Sequence, residues 1–148
     1  MQRWIIAGVV LLVLTFGAGF VGIKIYKQNR PHPVWVPLPV NPELSGDKKL
    51  QFSKELKQKL GEHQNLLTLS KDLKLAEKWK LASDEEAANL VAARLFVKVG
   101  EADTPKGIKI PSINIGVNGK AKDKEISNEI ALRLFSDVRK MLGIDQDP

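Results

Sequence analysis

The sequence predicts an α+β domain: a small sheet of about three strands with helices packed on one face, preceded by a single transmembrane helix. Three observations predict this class. An uncharged apolar run lies near the N-terminus, several later stretches have the apolar spacing of amphipathic helices, and two stretches alternate apolar and polar residues as strands do. The predicted order is anchor, edge strand, three helices, two strands and a final helix.

The predicted anchor occupies residues 1–30. The run from Ile5 to Ile23 contains no charged side chain, and its length is within a residue or two of the about 20 apolar residues that a helix needs to cross a bilayer. Only a helix could carry this run across, because lipid offers backbone amides no partners. A cleaved signal peptide is the alternative, with Arg3 as its charged region and a cut after Gly19. Hydrophobicity that continues beyond this point favours a retained anchor.

Residues 31–48 are predicted to form a proline-rich linker or an edge strand. Five prolines between Pro31 and Pro42 exclude a helix, because proline lacks an amide donor and restricts the residue before it. The segment from Val34 to Leu38 is rich in strand-forming residues, which proline would confine to a sheet edge. A polyproline-like spacer is the other interpretation.

Residues 49–148 are predicted to form the soluble α+β domain, and its first half has helical patterns. One helix runs from Leu50 to Leu60, and a second from about Asn65 to Lys80 with Trp79 as a core anchor. A capping box at Ser83–Glu86 begins the third. The predicted buried residues are Phe52, Leu56 and Leu60 in the first helix, Leu66, Leu69, Leu73 and Ala76 in the second, and Ala87, Leu90, Val91 and Leu95 in the third.

The second half of the domain is predicted to contain two strands. The first is Leu95–Val99, closed by Gly100, and the second is a β segment from Ile108 to Val117 that is interrupted by Pro111. The pair Asn118–Gly119 is typical of a turn.

A long final helix is predicted from about Lys122 to Leu142, with Gly143 as its C-terminal stop. Its apolar residues recur at near-ideal helical spacing. The expected buried face is Ile126, Ile130, Leu134, Val138 and Met141.

Side chains that catalyse reactions or bind metals are scarce and scattered. His32 and His63 lie far in sequence from a second ligand or a nucleophile, and the acids at Asp84–Glu86 are explained as helix caps. The absence of cysteine excludes disulfides, thiolate zinc sites and cysteine nucleophiles. We therefore predict no catalytic residue, no metal site and no cofactor, and we expect that the protein is not an enzyme.

Two weaker motifs would, if functional, indicate a catalytic or anion-binding site. Ser112 or Ser127 could meet a lysine in space, although the sequence gives no support for such a dyad. The segment Gly116–Lys120 resembles a phosphate loop, but Asn114 stands where that motif needs its first glycine and Ala121 stands where it needs Ser or Thr. A turn from strand to helix explains the segment, and it could still bind an anion at the N-terminus of the next helix.

The formal net charge of +6 and the pI near 9.6 suit nucleic acid, anionic lipid or acidic polysaccharide as a partner. Lysines and arginines alternate with acids along the chain, and the aromatic residues occupy linker or apolar-face positions. Base stacking therefore has no visible platform, and we predict no nucleic-acid partner. An anionic glycan or a lipid headgroup is the alternative partner for the lysine-rich surface.

The segment from Asn65 to Val138 contains a series of phrases whose order is similar to the N-terminal proximal domain of the chain-length determinant (Wzz) family. Members of this family are also called polysaccharide co-polymerases. The resemblance covers about half of the chain and depends on the order of these phrases. The matching positions are Asp72–Leu75, Trp79, Ser83–Glu86, Ile113–Ile115 and Asn128–Ala131.

The resemblance implies a single-pass protein of the bacterial inner membrane with a periplasmic domain, which forms oligomers or binds other proteins and organises envelope polysaccharide assembly or export without catalysis. Because the chain stops soon after Leu142, without the family's membrane-distal helices and second span, we expect a truncated relative with an accessory role. Counting positive charges beside the anchor slightly favours the opposite orientation, with Arg3 on one side and Lys24, Lys27 and Arg30 on the other.

Overall fold

The computed structural model describes residues 24–144, which form a three-stranded antiparallel sheet and several helices. Residues 24–29 are helical and lead into the first strand, and a 3-10 turn at Ala121–Asp123 precedes the last helix. The α+β class and the small sheet are therefore confirmed. The elements are β1 (Pro31–Pro39), α1 (Gly46–Leu60), α2 (His63–Asp72), α3 (Leu75–Trp79), α4 (Asp84–Arg94), β2 (Leu95–Asp103), β3 (Lys109–Lys120) and α5 (Lys124–Met141).

The predicted membrane span from Ile5 to Ile23 lies outside the described residues. Among the helices of residues 24–144, none combines the length and the apolar composition that crossing a bilayer requires. The anchor therefore stays a prediction.

The sheet has the order β1, β3, β2, so β3 is the central strand and both of its neighbours run antiparallel to it. Ile113, Ile115 and Val117 of β3 are almost completely buried, because they face the helices. α1 packs on β2, whereas α5 packs on β3 and β1. The core therefore lies between one face of the sheet and the helices.

The proline-rich segment forms β1 and is not a spacer, because its prolines occupy alternate positions. Val40 N donates to Pro111 O at 3.1 Å and Ala121 N donates to Arg30 O at 3.0 Å. In an antiparallel pair, the residues that exchange these bonds alternate with residues whose backbone groups point away. The backbone N–H and C=O groups of the even-numbered residues of β1 therefore point toward β3. The missing amides point outward and break no bond of the ladder at Pro31, Pro33, Pro37 and Pro39.

The helical half differs from its prediction at two places. α1 begins at Gly46, earlier than predicted, because the Ser45 side chain accepts the Lys48 amide at 3.4 Å and caps the helix. The predicted second helix is divided into α2 and α3 by Lys74, whose φ of +52° is left-handed. This break turns Leu75, which was outside the predicted apolar stripe, into the core, where it is fully buried.

The predicted capping box at the start of α4 is confirmed. The Ser83 hydroxyl accepts the Glu86 amide at 3.2 Å, and the Glu86 carboxylate reaches back to accept the Ala82 amide at 3.0 Å. Of the predicted buried residues, Ala87 and Val91 are fully buried and Leu90 is half-buried. The cap and the apolar face therefore agree on where this helix starts and which side it buries.

The predicted ends of β2 and β3 were wrong. β2 continues through Gly100, and the Asn114 side chain of β3 occupies the position of a side chain there. A Cβ on Gly100 would stand 2.6 Å from Asn114 Nδ2. β3 also continues through Pro111, whose missing amide faces β1 beyond the last ladder pair of that strand, Pro39 with Ser112. Each residue therefore has a packing or edge role inside a continuous strand.

The predicted turn at Asn118–Gly119 was also wrong, because both residues belong to β3. Gly119 pairs with His32 of β1, and the Ser127 side chain of α5 lies against it. A Cβ on Gly119 would stand 2.1 Å from the Ser127 hydroxyl oxygen. The glycine is needed for close packing of the helix on the sheet.

The final helix follows its predicted pattern except at the C-terminal end. Ile130, Leu134 and Val138 are buried, but Met141 is 44% exposed, so its predicted burial was wrong. Gly143 ends the helix as expected, with a φ of +67°. The amides of Gly143 and Ile144 donate to Lys140 O and Arg139 O, which is the Schellman pattern that favours glycine.

Candidate functional site

A cleft of about 370 Å³ lies at one end of the sheet, between α3, the C-terminal end of α4 and the segment Lys120–Asp123. Its cationic side chains and its one aromatic ring come from separate parts of the chain. We call it the Arg94 cleft, and its principal lining residues are Lys78, Trp79, Lys80, Arg94, Lys120 and Lys122.

The centre of the Arg94 cleft contains two hydrogen-bond donors without acceptors. The Arg94 guanidinium lies 5.1 Å from the centre of the Trp79 ring. Its Nη1 is 3.7 Å from Asp123 Oδ2, which is close enough for an ion pair but too far for a hydrogen bond. Within residues 24–144, neither Arg94 Nη1 nor Trp79 Nε1 has a hydrogen-bond partner, although both atoms are buried. Such unpaired buried donors are rare in folded proteins.

The cleft has more cations than the acids of residues 24–144 pair with, although Asp123 also lines it. Lys78 pairs with Glu129 of α5, and Asp123 is the acid nearest to Arg94. Lys80, Lys120 and Lys122 are exposed and form no ion pair with any residue in the described range 24–144. Three ammonium groups are therefore available beside the two unpaired donors.

Local backbone structure holds Lys80 at the edge of the cleft. Lys80 has a φ of +56° and ends α3 in a Schellman turn, in which its amide donates to Glu77 O and the Leu81 amide donates to Ala76 O at 2.8 Å. Glycine usually occupies this position, since a left-handed residue with a Cβ costs roughly 1–2 kcal/mol. Such strain recurs at functional sites.

A smaller depression of about 230 Å³ lies between α1, α2 and α5, and its central cation is already satisfied. Arg133 Nη1 is 2.8 Å from Asp72 Oδ2, and its Nε is 3.0 Å from Asp137 Oδ1. Burial is the largest single influence and lowers the pKa of Arg133, but the hydrogen bonds and charges of Asp137 and Asp72 together raise it. This network joins α5 to α2 and leaves no unused donor comparable to those in the Arg94 cleft.

The face of the sheet away from the helices carries an aromatic pair across a glycine. Trp35 of β1 and Phe96 of β2 both pair with Gly116 of β3, and Trp35 is 48% exposed. A Cβ on Gly116 would stand 2.0 Å from Val34 O, so no other residue fits without moving β1. Aromatic side chains beside a strand glycine cover its bare backbone. We assign this row a structural role.

The two histidines stay apart from each other. His32 is half-buried in β1, whereas His63 Nε2 lies 2.9 Å from Glu85 Oε1 in an exposed pair between α2 and α4. In residues 24–144 no group of three histidine, cysteine, aspartate or glutamate side chains is placed to hold a metal ion. The fold of residues 24–144 therefore gives neither histidine the two further ligands that such a group needs.

The two serines considered for a dyad have different surroundings. The Ser112 hydroxyl donates to Asn114 Oδ1 at 3.0 Å. The Ser127 hydroxyl is buried against Gly119 without a partner among residues 24–144. Neither serine forms a hydrogen bond with a lysine in this part of the chain.

Sequence reasoning missed the Arg94 cleft. Arg94 had no predicted role, and Lys120 was considered only as the last residue of a phosphate-like loop. The cleft joins α3, α4 and the end of β3, which are distant in sequence, so no local spacing could reveal it. Trp79 gave the one available signal, because a tryptophan near the end of a helix needs an acceptor for its indole N–H when it is buried.

Comparisons with known proteins give no relative for this chain. No family model matches it. No curated protein and no solved structure matches it either. The resemblance to the Wzz family therefore stays a prediction.

Proposed function

We propose that this protein is a single-pass, non-catalytic membrane protein whose extracytoplasmic α+β domain associates with further copies of itself in envelope polysaccharide assembly or export. The resemblance to a truncated polysaccharide co-polymerase supports the biological setting. The uncharged run from Ile5 to Ile23 supports the anchor. The observation that supports self-association best is the free edge of β2.

The β2 edge has backbone donors that find no acceptor in residues 24–144. Even-numbered residues of β2 bond to β3, because the odd-numbered residues of β3 bond to β1. The amides of Val97, Val99 and Glu101 therefore point away from β3, and no backbone or side-chain acceptor of residues 24–144 meets them. Val99 is also 42% exposed. An edge of this kind is a template for another strand.

A second copy of this chain is the partner that fits the β2 edge most simply. Two copies of one strand can pair antiparallel about a two-fold axis, and each then supplies the donors and acceptors that the other lacks. The pairing would extend two three-stranded sheets into one continuous sheet. A different protein that adds a strand is the outcome the experiment must separate from this one.

Membrane fractions containing the full chain provide the test. We expect the protein to resist alkaline washing, to gain a covalent dimer band with an amine-reactive crosslinker and to migrate as an oligomer in native electrophoresis. A protein that stays monomeric and without a partner in membranes would contradict the proposal. A crosslinked band whose mass exceeds one chain but contains a different protein would replace self-association with a heteromeric contact.

Orientation needs a separate measurement. A reporter fused after Pro148 that is active only outside the cytoplasm is expected to be active, because domains of this length translocate largely independently of a small charge bias. A reporter active only in the cytoplasm would contradict the extracytoplasmic placement.

A second candidate function is tethered binding of an anionic glycan or lipid headgroup, and the Arg94 cleft favours it. Three lysines that form no ion pair within residues 24–144 line this cleft together with two buried donors. This function predicts that retention of the full chain, in neutral detergent, on an acidic polymer falls steeply as salt rises. Retention that does not respond to salt would count against it.

A further inference from the structure

We propose that the Arg94 cleft is a binding site for a phosphate group, presented to the domain at the membrane surface. This inference deepens the second candidate function and rests on it for the membrane source of the ligand. It assigns the ligand class from the donors, charges and position of the cleft.

The unpaired donors of the cleft call for an acceptor that the described chain does not provide. Arg94 Nη1 and Trp79 Nε1 are both buried and have no hydrogen-bond partner among residues 24–144, and the guanidinium carbon lies over the indole ring, 5.1 Å from its centre. A cation–π contact of this kind restrains the guanidinium beside the indole. An anion that reaches both atoms would accept a hydrogen bond from each.

Phosphate fits this arrangement better than a carboxylate does. Lys80, Lys120 and Lys122 add three charges to the two central donors, and a terminal phosphate offers three oxygens and a charge near −2 to receive them. A carboxylate has two oxygens and one charge, so it would leave donors unused. The cleft volume of about 370 Å³ also exceeds what one carboxylate needs and lies within the range of small-ligand sites.

The position of the cleft connects it to the predicted membrane. Ala121 N, between the two rim lysines Lys120 and Lys122, donates to Arg30 O at 3.0 Å. Residues 24–30, which follow the predicted span from Ile5 to Ile23, therefore meet the domain at this end through Arg30. The same segment contains Lys24 and Lys27. A cluster of cations next to a membrane helix is typical of sites that receive lipid phosphates.

The direct probe is the indole N–H of Trp79. The chain has three tryptophans, Trp4, Trp35 and Trp79. We would label the full chain with ¹⁵N-tryptophan in a neutral maltoside micelle, assign the Trp79 and Trp35 signals with Trp79→Phe and Trp35→Phe, and titrate inorganic pyrophosphate. The expected result is a saturable shift of the Trp79 signal, with the Trp35 signal as an internal reference on the opposite face of the sheet. No saturable shift of Trp79 would overturn the proposal.

Charge removal at the rim separates a built site from general attraction. The double variant Lys120→Gln/Lys122→Gln changes two exposed lysines and is expected to weaken pyrophosphate binding about tenfold. The control Lys57→Gln/Lys59→Gln removes the same charge at the same spacing from exposed positions of α1, and we expect its affinity within about twofold of the parent. Equal weakening by both pairs would overturn the site.

The source of the phosphate is tested in bilayers. The full chain in nanodiscs of neutral phosphatidylcholine should give the unbound Trp79 signal, and discs containing phosphatidic acid should give the bound signal if the ligand is a lipid phosphate. A shift with pyrophosphate but not with phosphatidic acid assigns the site to a soluble phosphate. A shift with oligogalacturonate and none with pyrophosphate would overturn the proposal in favour of an acidic glycan.

The titration in micelles does not require oligomers or a retained anchor. Failure of phosphate binding with a positive crosslinking result would therefore remove this inference and leave self-association standing. The reverse pair of results would remove self-association alone.

Discussion

The two edge strands of the sheet differ in whether their outward positions carry backbone N–H groups. β1 places Pro31, Pro33, Pro37 and Pro39 at the positions whose amides would point outward. β2 contains no proline, and its outward amides have no acceptor in the described chain. Natural sheets use proline to prevent association at an edge. The difference indicates that the sheet is closed to further strands on one side and open on the other.

The strand between these edges holds both of them in register. Gly116 of β3 pairs with Trp35 on the closed side and with Phe96 on the open side. The Lys98 ammonium lies 5.6 Å from the centre of the Phe96 ring and adds to the cover on the open side. Both edges therefore depend on the contacts of Gly116 with its two aromatic neighbours.

The largest expected effect comes from breaking that row with Gly116→Ala. The new Cβ would stand 2.0 Å from Val34 O, a backbone atom that cannot move without separating β1 from β3. We expect the free energy of unfolding to fall by about 3 kcal/mol in urea titrations of the full chain in detergent.

Gly46→Ala is the matched control, because a Cβ there meets nothing within 4 Å. It lies in the first turn of α1, where alanine is at least as favourable as glycine, so stability should be unchanged or slightly higher. Equal destabilisation by both substitutions would contradict the account of the aromatic row.

Converting the open edge to the closed kind is the next test. Val99→Pro removes an outward amide of β2 without removing a bond to β3, so we expect the membrane oligomer to dissociate at least about tenfold more readily, as a lost donor and the bulk of the ring predict. Val99→Ala is the control, since it shortens the same side chain and keeps the amide. Native electrophoresis measures both, and an unchanged oligomer in Val99→Pro would contradict the proposed edge.

Opening the closed edge is expected to change stability least. In Pro33→Thr/Pro37→Thr, β1 regains two outward amides, and the free energy of unfolding should change by less than about 1 kcal/mol because both positions are exposed. We expect larger assemblies in light scattering, since both edges could then accept strands. Pro42→Thr, outside β1, should not enlarge the assembly. Identical particle sizes for the double variant and the parent would show that proline does not close this edge.

The sequence predicted those parts of the fold that depend on local pattern. The capping box at Ser83 and the buried residues of α4 and α5 follow from helical spacing, and the final glycine follows from left-handed geometry. The division of the second predicted helix did not follow, because Lys74 adopts a conformation that lysine alone does not favour. Burial of Leu75 outweighs that local preference, and only the tertiary structure contains this information.

The strand predictions were wrong at glycine and proline because the roles of these residues also depend on tertiary contacts. Gly100 and Gly119 suggested ends and turns, yet each makes room for a side chain from a neighbouring element, Asn114 and Ser127 respectively. The prolines left an edge strand and a spacer as alternatives, and the register with β3 shows the strand. The role of a glycine or proline in a strand depends on the atoms that approach it, and here those atoms belong to residues distant in sequence.

The candidate site was not predictable at all from local pattern. The sequence supplied a basic composition and a buried tryptophan, but the meeting of Trp79, Arg94 and Lys120 depends on the packing of α3 and α4 beside the end of β3. Positive charges that are spread along the sequence do not show where a cationic site will form, because the folded structure decides which of them become neighbours.

The most direct test of the open edge uses the absence of native cysteine, which makes single-cysteine variants unambiguous. Val99→Cys marks the middle of β2 and Pro33→Cys marks β1, and each full-length variant would be treated in membranes with a short bismaleimide crosslinker. We predict a covalent dimer for Val99→Cys and a monomer for Pro33→Cys. A dimer formed equally or preferentially through Pro33→Cys, or no dimer through either position, would contradict association at the β2 edge.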